Sequence, residues 1–254
     1  MKIWSVLIYG IICYVSFLAT FLYLAGWLGN IFVPRSIDSP GQGPWQTALL
    51  VNTFLVVLFG VQHSVMARPT FKKWWTKFIP EPIERSTYVL FTNLVLLVLF
   101  WQWRPMGGVI WDVQHPTGRT LLFGLCAVGW LTVLITTFLI NHFDLFGLRQ
   151  VWLYFRGKSY THLAFSTPGP YQFVRHPLYV GWMIAFWATP TMTVVHLLFA
   201  LGTTAYMLIA IPFEERNLVE FHGDEYSTYR RRVAMLIPFS SSRRRIHEAA
   251  AQQA

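Results

Sequence analysis

Two short clusters of charge, Arg175-His176 and Glu214-Glu215, flank a mostly apolar stretch from Leu178 to Ile211. The first sits in Pro168-Gly169-Pro170-Tyr171-Gln172-Phe173-Val174-Arg175-His176-Pro177-Leu178-Tyr179-Val180-Gly181, the second in Pro212-Phe213-Glu214-Glu215-Arg216-Asn217-Leu218. Guanidinium and imidazole groups hold anions, whereas carboxylates and aromatic faces hold cations. Arg175, His176, Tyr171, Tyr179, Glu214 and Glu215 therefore make a set able to bind a small molecule that carries both signs of charge. Gly181, two residues after Tyr179, leaves room for a close neighbour. Each cluster also has a bland reading. Pro177 suits a helix first turn with Arg175 snorkelling, and Pro212 suits another with the two glutamates in its favoured N-terminal turn.

Further ionisable groups fall near apolar ends: His63, then His142 with Asp144. His142 and Asp144 are candidates for a proton-accepting pair, with Tyr171 and Arg175 as electrostatic helpers. Equally, Asp144 is read as a turn cap and His142 as satisfying a backbone carbonyl. His63 and His142 also allow non-covalent haem ligation, since no Cys-x-x-Cys-His attachment site is present. His196 reads as structural, and His115, His162, His222 and His247 as loop or surface residues. Cys13 and Cys126 lie within apolar runs and indicate no disulfide framework. No residue is assigned to a metal.

The elements that must position these groups are membrane helices. The chain is 54% hydrophobic and 17% aromatic with 12% charged residues, and its apolar runs are long enough to cross a bilayer. The spacing predicts spans over Ile3–Leu28, Trp45–Met66, Ser86–Trp103 and Arg119–Ile140, then a helical hairpin from Leu178 to Ile211 broken at Pro190. A run of this length is too long for one upright helix and short for two full spans, so one arm is expected to be short. Arg68 to Phe78, with alternating basic and aromatic residues, reads as an interfacial anchor against membrane lipid. Pro212 to Pro238 reads as a water-exposed amphipathic helix.

The fold class is thus all-α, a polytopic integral membrane protein of about five to six transmembrane segments. Residues 1–140 form a four-span half, 141–238 a ligand-binding hairpin with its cap, and 239–254 a disordered basic tail. The net charge of +9 resides in short loops and near the C-terminus, as membrane orientation requires and not as a nucleic-acid surface would be built. Counted by loop, Lys and Arg number one, five, two, four and seven along the chain. That alternation puts both termini and all the site candidates on the cytoplasmic side.

Arg-His-Pro-Leu-Tyr-Val-Gly, the hairpin-length spacer, Glu-Glu-Arg-Asn-Leu, then Phe221-His222-Gly223-Asp224-Glu225-Tyr226-Ser227-Thr228-Tyr229-Arg230 and Leu236-Ile237-Pro238 form an ordered string. It resembles the C-terminal signature of the isoprenylcysteine carboxyl methyltransferase and phospholipid methyltransferase superfamily. Asn141-His142-Phe143-Asp144-Leu145-Phe146-Gly147-Leu148-Arg149-Gln150, Phe186-Trp187-Ala188-Thr189-Pro190-Thr191-Met192-Thr193 and Phe213-Glu214-Glu215-Arg216 are similar to the bacterial methanethiol S-methyltransferases. The resemblance implies a bacterial inner-membrane enzyme using S-adenosyl-L-methionine, with methanethiol as the small thiol acceptor and dimethyl sulfide as product. A lipid or prenylated-cysteine acceptor is the alternative. The implied cofactor-binding residues are Val174, Arg175, His176, Pro177, Tyr179, Gly181, Glu214 and Glu215.

Overall fold

The computed structural model describes residues 2–40 and 43–238; the basic tail expected over 239–254 lies outside them. In chain order the elements are α1 (Ile3–Gly29), α2 (Trp45–Ala67), the short α3 (Pro69–Trp75), α4 (Glu81–Gln102), β1 (Val109–Asp112) and α5 (Pro116–Ile140). There follow α6 (His142–Leu145), α7 (Leu148–Phe155), a 3-10 turn at Gly169–Gln172, α8 (Pro177–Trp187), β2 (Thr191–Thr193), α9 (Val194–His222) and α10 (Asp224–Arg232). Five of these, α1, α2, α4, α5 and α9, are long and apolar enough to cross a membrane. Their outer faces carry exposed Leu22, Leu50, Leu121 and Ile209, the surface that lipid would cover.

The spans follow the sequence pattern with earlier starts. Pro82 lies at the beginning of α4 with Glu81 and Glu84 in its first turn, so the helix begins before Ser86. Likewise α5 starts at Pro116, ahead of Arg119. The stretch from Arg104 to Gly118, expected to be loop, holds β1.

The hairpin has one short arm. At 11 residues α8 rises about 16 Å, roughly half of a hydrocarbon core. Beyond it, β2 pairs antiparallel with β1, Val109 opposite Thr193, Trp111 opposite Met192 and Asp112 opposite Thr191. Val113 N–H donates to the Pro190 carbonyl, and Trp111 Nε1 to that of Thr189. The loop after α4 thus satisfies the polar backbone that the hairpin turn would otherwise bury unpaired. Asn52, fully buried on α2, fixes that loop by bonding both the N–H and the carbonyl of Arg104.

Two glycines set the α5–α8 crossing. A Cβ on Gly129 would lie 2.6 Å from Ala185 N, and one on Gly181 would lie 2.9 Å from Val133 N. The helices pack backbone to backbone, as small residues allow in a membrane.

The largest correction concerns Pro212. It does not open a helix but lies inside α9, so Glu214 and Glu215 are not N-terminal capping residues. A proline here leaves the Leu208 carbonyl without its helical partner at a cost of about 3 kcal/mol. Buried Met207 and Ile211 before it and anchored Glu215 after it hold the helix together across that gap. The amphipathic helix expected over Pro212–Pro238 shrinks to α10, which begins after Gly223 turns the chain at φ 60°.

Candidate active site

Arg175 and Glu215 are spent on one another. Arg175 Nε donates to Glu215 Oε1 at 2.7 Å, and its Nη1 donates to the carbonyls of Arg230 and Val233. His176 Nε2 reaches the same carboxylate oxygen at 3.1 Å. The backbone adds to the knot: Val174 bridges Ala234, Arg175 N–H donates to Ala234, and His176 N–H to Met235. Pro177, buried, starts α8 immediately behind. This part of the motif ties the entry of α8, the far part of α9 and the exit of α10 into one unit. A guanidinium so occupied has little left for a ligand.

Glu214, one residue earlier, is its opposite. Its side chain is 46% exposed against 9% for Glu215, and it accepts one hydrogen bond, from the Tyr179 hydroxyl at 2.7 Å. His176 Nδ1 stands 4.0 Å away. Five phenols from five segments are its electrostatic neighbours: Tyr88 on α4, Tyr171 on the 3-10 turn, Tyr179 on α8, Tyr206 on α9 and Tyr226 on α10. Burial, then the Glu214 carboxylate, raise the Tyr171 pKa above the ordinary phenol value, so this ring stays neutral. A partly open carboxylate bonded to a phenol, with further aromatics as its electrostatic neighbours, is suited to an organic cation.

Two of these phenols are joined to α2. The Ser64 hydroxyl bonds Tyr206 at 3.3 Å, and Gly60 leaves space that the Tyr206 ring enters. The Tyr88 hydroxyl lies 2.8 Å from Nε2 and 3.0 Å from Nδ1 of His63. Thr92 donates its own hydrogen to the Tyr88 carbonyl, so at 3.4 Å from Nδ1 it acts as acceptor. The proton then belongs on Nδ1, and His63 Nε2 presents a lone pair to the Tyr88 O–H.

His142 and Asp144 do not form a bonded pair. Thr137 donates to the Leu134 carbonyl and so accepts from His142 Nδ1–H at 2.8 Å, leaving Nε2 to accept from Tyr14 at 2.9 Å. The ring stacks on Phe138 at 4.2 Å, and burial lowers its pKa. Neither bland alternative holds as written, because the partners are hydroxyls and the cap belongs to Asn141, which accepts from Asp144 N–H. Asp144 instead pairs with Arg149 at 2.8 Å and accepts from Tyr160. Gly181 is filled by α5 and is not open to a ligand.

Comparison with known proteins bears on this arrangement. The methanethiol S-methyltransferase of Crocosphaera subtropica is 58% identical over 92% of this chain and 92% of its own length. The chain belongs to the methanethiol S-methyltransferase family. The enzyme of that name from Mycobacterium tuberculosis is 53% identical over 94% of this chain and 98% of its own. Nurim of Sus scrofa is 30% identical over 73% of this chain and 77% of its own. The phospholipid methyltransferase family model matches residues 118–225, which take in Tyr171, Arg175, His176, Tyr179, Glu214 and Glu215. No solved structure matches.

Tyr88, Tyr206 and Ser64 escaped the sequence reading of this methyltransferase family member. Tyr88 and Ser64 lie outside the matched residues, and a tyrosine within an apolar run has no spacing that separates it from core. A helpful signal was available: Ser64 and Tyr88 both lie at the span ends that the charge count puts beside Glu214.

Proposed function

We propose that this chain transfers a methyl group from S-adenosylmethionine to methanethiol, giving dimethyl sulfide, at the Glu214 site. The observation that carries the reading is the half-exposed Glu214 carboxylate bonded to the Tyr179 hydroxyl, with Tyr88, Tyr171 and Tyr206 as further electrostatic neighbours. When bound, S-adenosylmethionine supplies a methyl group on a sulfonium and carries an ammonium and a carboxylate at its amino-acid end. Glu214 holds the ammonium, and the phenol faces accept the sulfonium. The names of the relatives support the small thiol acceptor.

The local environment favours this chemistry. Attack of a thiolate on a sulfonium cancels two charges, so apolar walls that exclude water destabilise the separated ions more than the dispersed transition state. A simple thiol is mostly protonated near neutrality, since even cysteine titrates near 8.5. The hydrogen-bonded Tyr88–His63 pair is the relay proposed for that proton: Tyr88 receives it from sulfur while its own passes to His63 Nε2 and on to water. Both termini face the cytoplasm of a bacterial inner membrane, where α3 rests its Lys73 and Trp74 in the headgroup layer.

Gas chromatography of the headspace over membranes holding this chain, given S-adenosylmethionine and methanethiol, tests the reading, with Glu214→Gln as control. Dimethyl sulfide above the control is expected. No product, together with no binding of S-adenosylmethionine by calorimetry, overturns it; binding without product moves the acceptor to a larger thiol or a lipid.

A further inference from the structure

If the donor is S-adenosylmethionine, its carboxylate needs a cation, and Arg175 is committed to Glu215 and two carbonyls. A candidate is Arg68, at the junction of α2 and α3 with extended backbone. Its guanidinium lies over the Phe213 ring, 4.3 Å from the centroid, and Phe213 directly precedes Glu214. Arg68 and Glu214 are both electrostatic neighbours of Tyr206. Among the described residues, Arg68 makes no ion pair and its side chain makes no hydrogen bond, although it is partly buried. Among the described residues, one Glu214 oxygen has no hydrogen-bond partner.

Although Arg68 and Glu214 are both electrostatic neighbours of Tyr206, no ion pair joins them among the described residues, and Arg68 is held on an aromatic face. An α-amino acid carries its ammonium and carboxylate on one carbon, so a carboxylate and a guanidinium beside the same phenol can match its two ends. We propose that Arg68 and Glu214 together clamp the amino-acid end of the methyl donor, Arg68 taking the carboxylate and Glu214 the ammonium. Arg216, 5.7 Å from the same ring, is exposed and serves as the neighbouring control. The Arg175–Glu215 knot holds this part of α9 in place.

Calorimetric titration of the detergent-solubilised protein with S-adenosylmethionine and with its decarboxylated form tests this, because the two differ only in the carboxylate. Wild type is expected to bind the decarboxylated form about tenfold to a hundredfold more weakly, the loss typical of a charged hydrogen bond. In Arg68→Gln that gap closes, with Arg68→Lys restoring part of it and Arg216→Gln leaving it intact. An Arg68→Gln protein that weakens both ligands by the same factor, or neither, overturns the assignment. A wild type that binds neither ligand removes the donor reading itself and the clamp with it.

Discussion

At the scale of single residues, adjacent glutamates do different work. Removing charge from Glu215 leaves Arg175 unpaired in a largely buried position, a loss of about 3–5 kcal/mol. Glu215→Gln is therefore expected to lower the thermal midpoint in detergent, whereas Glu214→Gln keeps the midpoint and loses at least about tenfold in donor affinity by calorimetry. His63→Gln should slow methanethiol methylation by about a hundredfold near neutral pH. The same variant should approach wild-type rates with a thiol acidic enough to arrive ionised. His142 offers a pH test. Burial holds its pKa below the ordinary 6.5, so folding binds fewer protons than the unfolded chain and stability is lost as pH falls below about 6.5. Thermal midpoints of wild type and His142→Gln between pH 8 and 5 should converge as the solution is acidified. A parallel fall in both would show that His142 does not carry the effect.

Among the elements, the crossing of α5 and α8 is the most demanding contact. A side chain on Gly129 must displace backbone of α8, and overpacking of this kind costs about 1–3 kcal/mol or more. Gly129→Val should lower the thermal midpoint, while Gly124→Val on the same helix, where a Cβ meets nothing within 4 Å, should not. Helix identity and length were readable because apolar runs of span length have one stable form in lipid. The path of α9 through Pro212 was not. Proline's local preference points to a helix start, and it was overruled by packing at Ile211 and by Arg175, 40 residues back in the chain.

In the whole molecule, the four first spans and the returning hairpin put the beginning of α1, α3, α7 and α10 at the same end as Glu214. The loop after α4 closes the opposite end over the short arm α8. Single cysteines at Lys77 and Gln114, in a chain whose Cys13 and Cys126 are replaced by Ala, should report the orientation in intact cells stripped of outer membrane. Gln114→Cys is expected to react with an impermeant maleimide at once and Lys77→Cys after the membrane is opened; the reverse pattern would invert the topology.

The sequence by itself determined the membrane class, the approximate spans, the hairpin with its short arm, and the two charged clusters that meet across it. These are local or periodic properties: length of apolar run, position of proline, count of basic residues. Only the tertiary structure decided which charges were consumed. Arg175 and Glu215 were indistinguishable in type from Arg68 and Glu214, and their fates separate because Arg175 and Glu215 meet within hydrogen-bond reach while Arg68 rests on the Phe213 ring and Glu214 accepts from Tyr179. The His142 and Asp144 spacing likewise suggested a pair, but a buried imidazole takes whatever hydroxyls the neighbouring helices bring, here Tyr14 and Thr137. Charge pairing depends on distances between segments remote in the chain, and no local pattern encodes them.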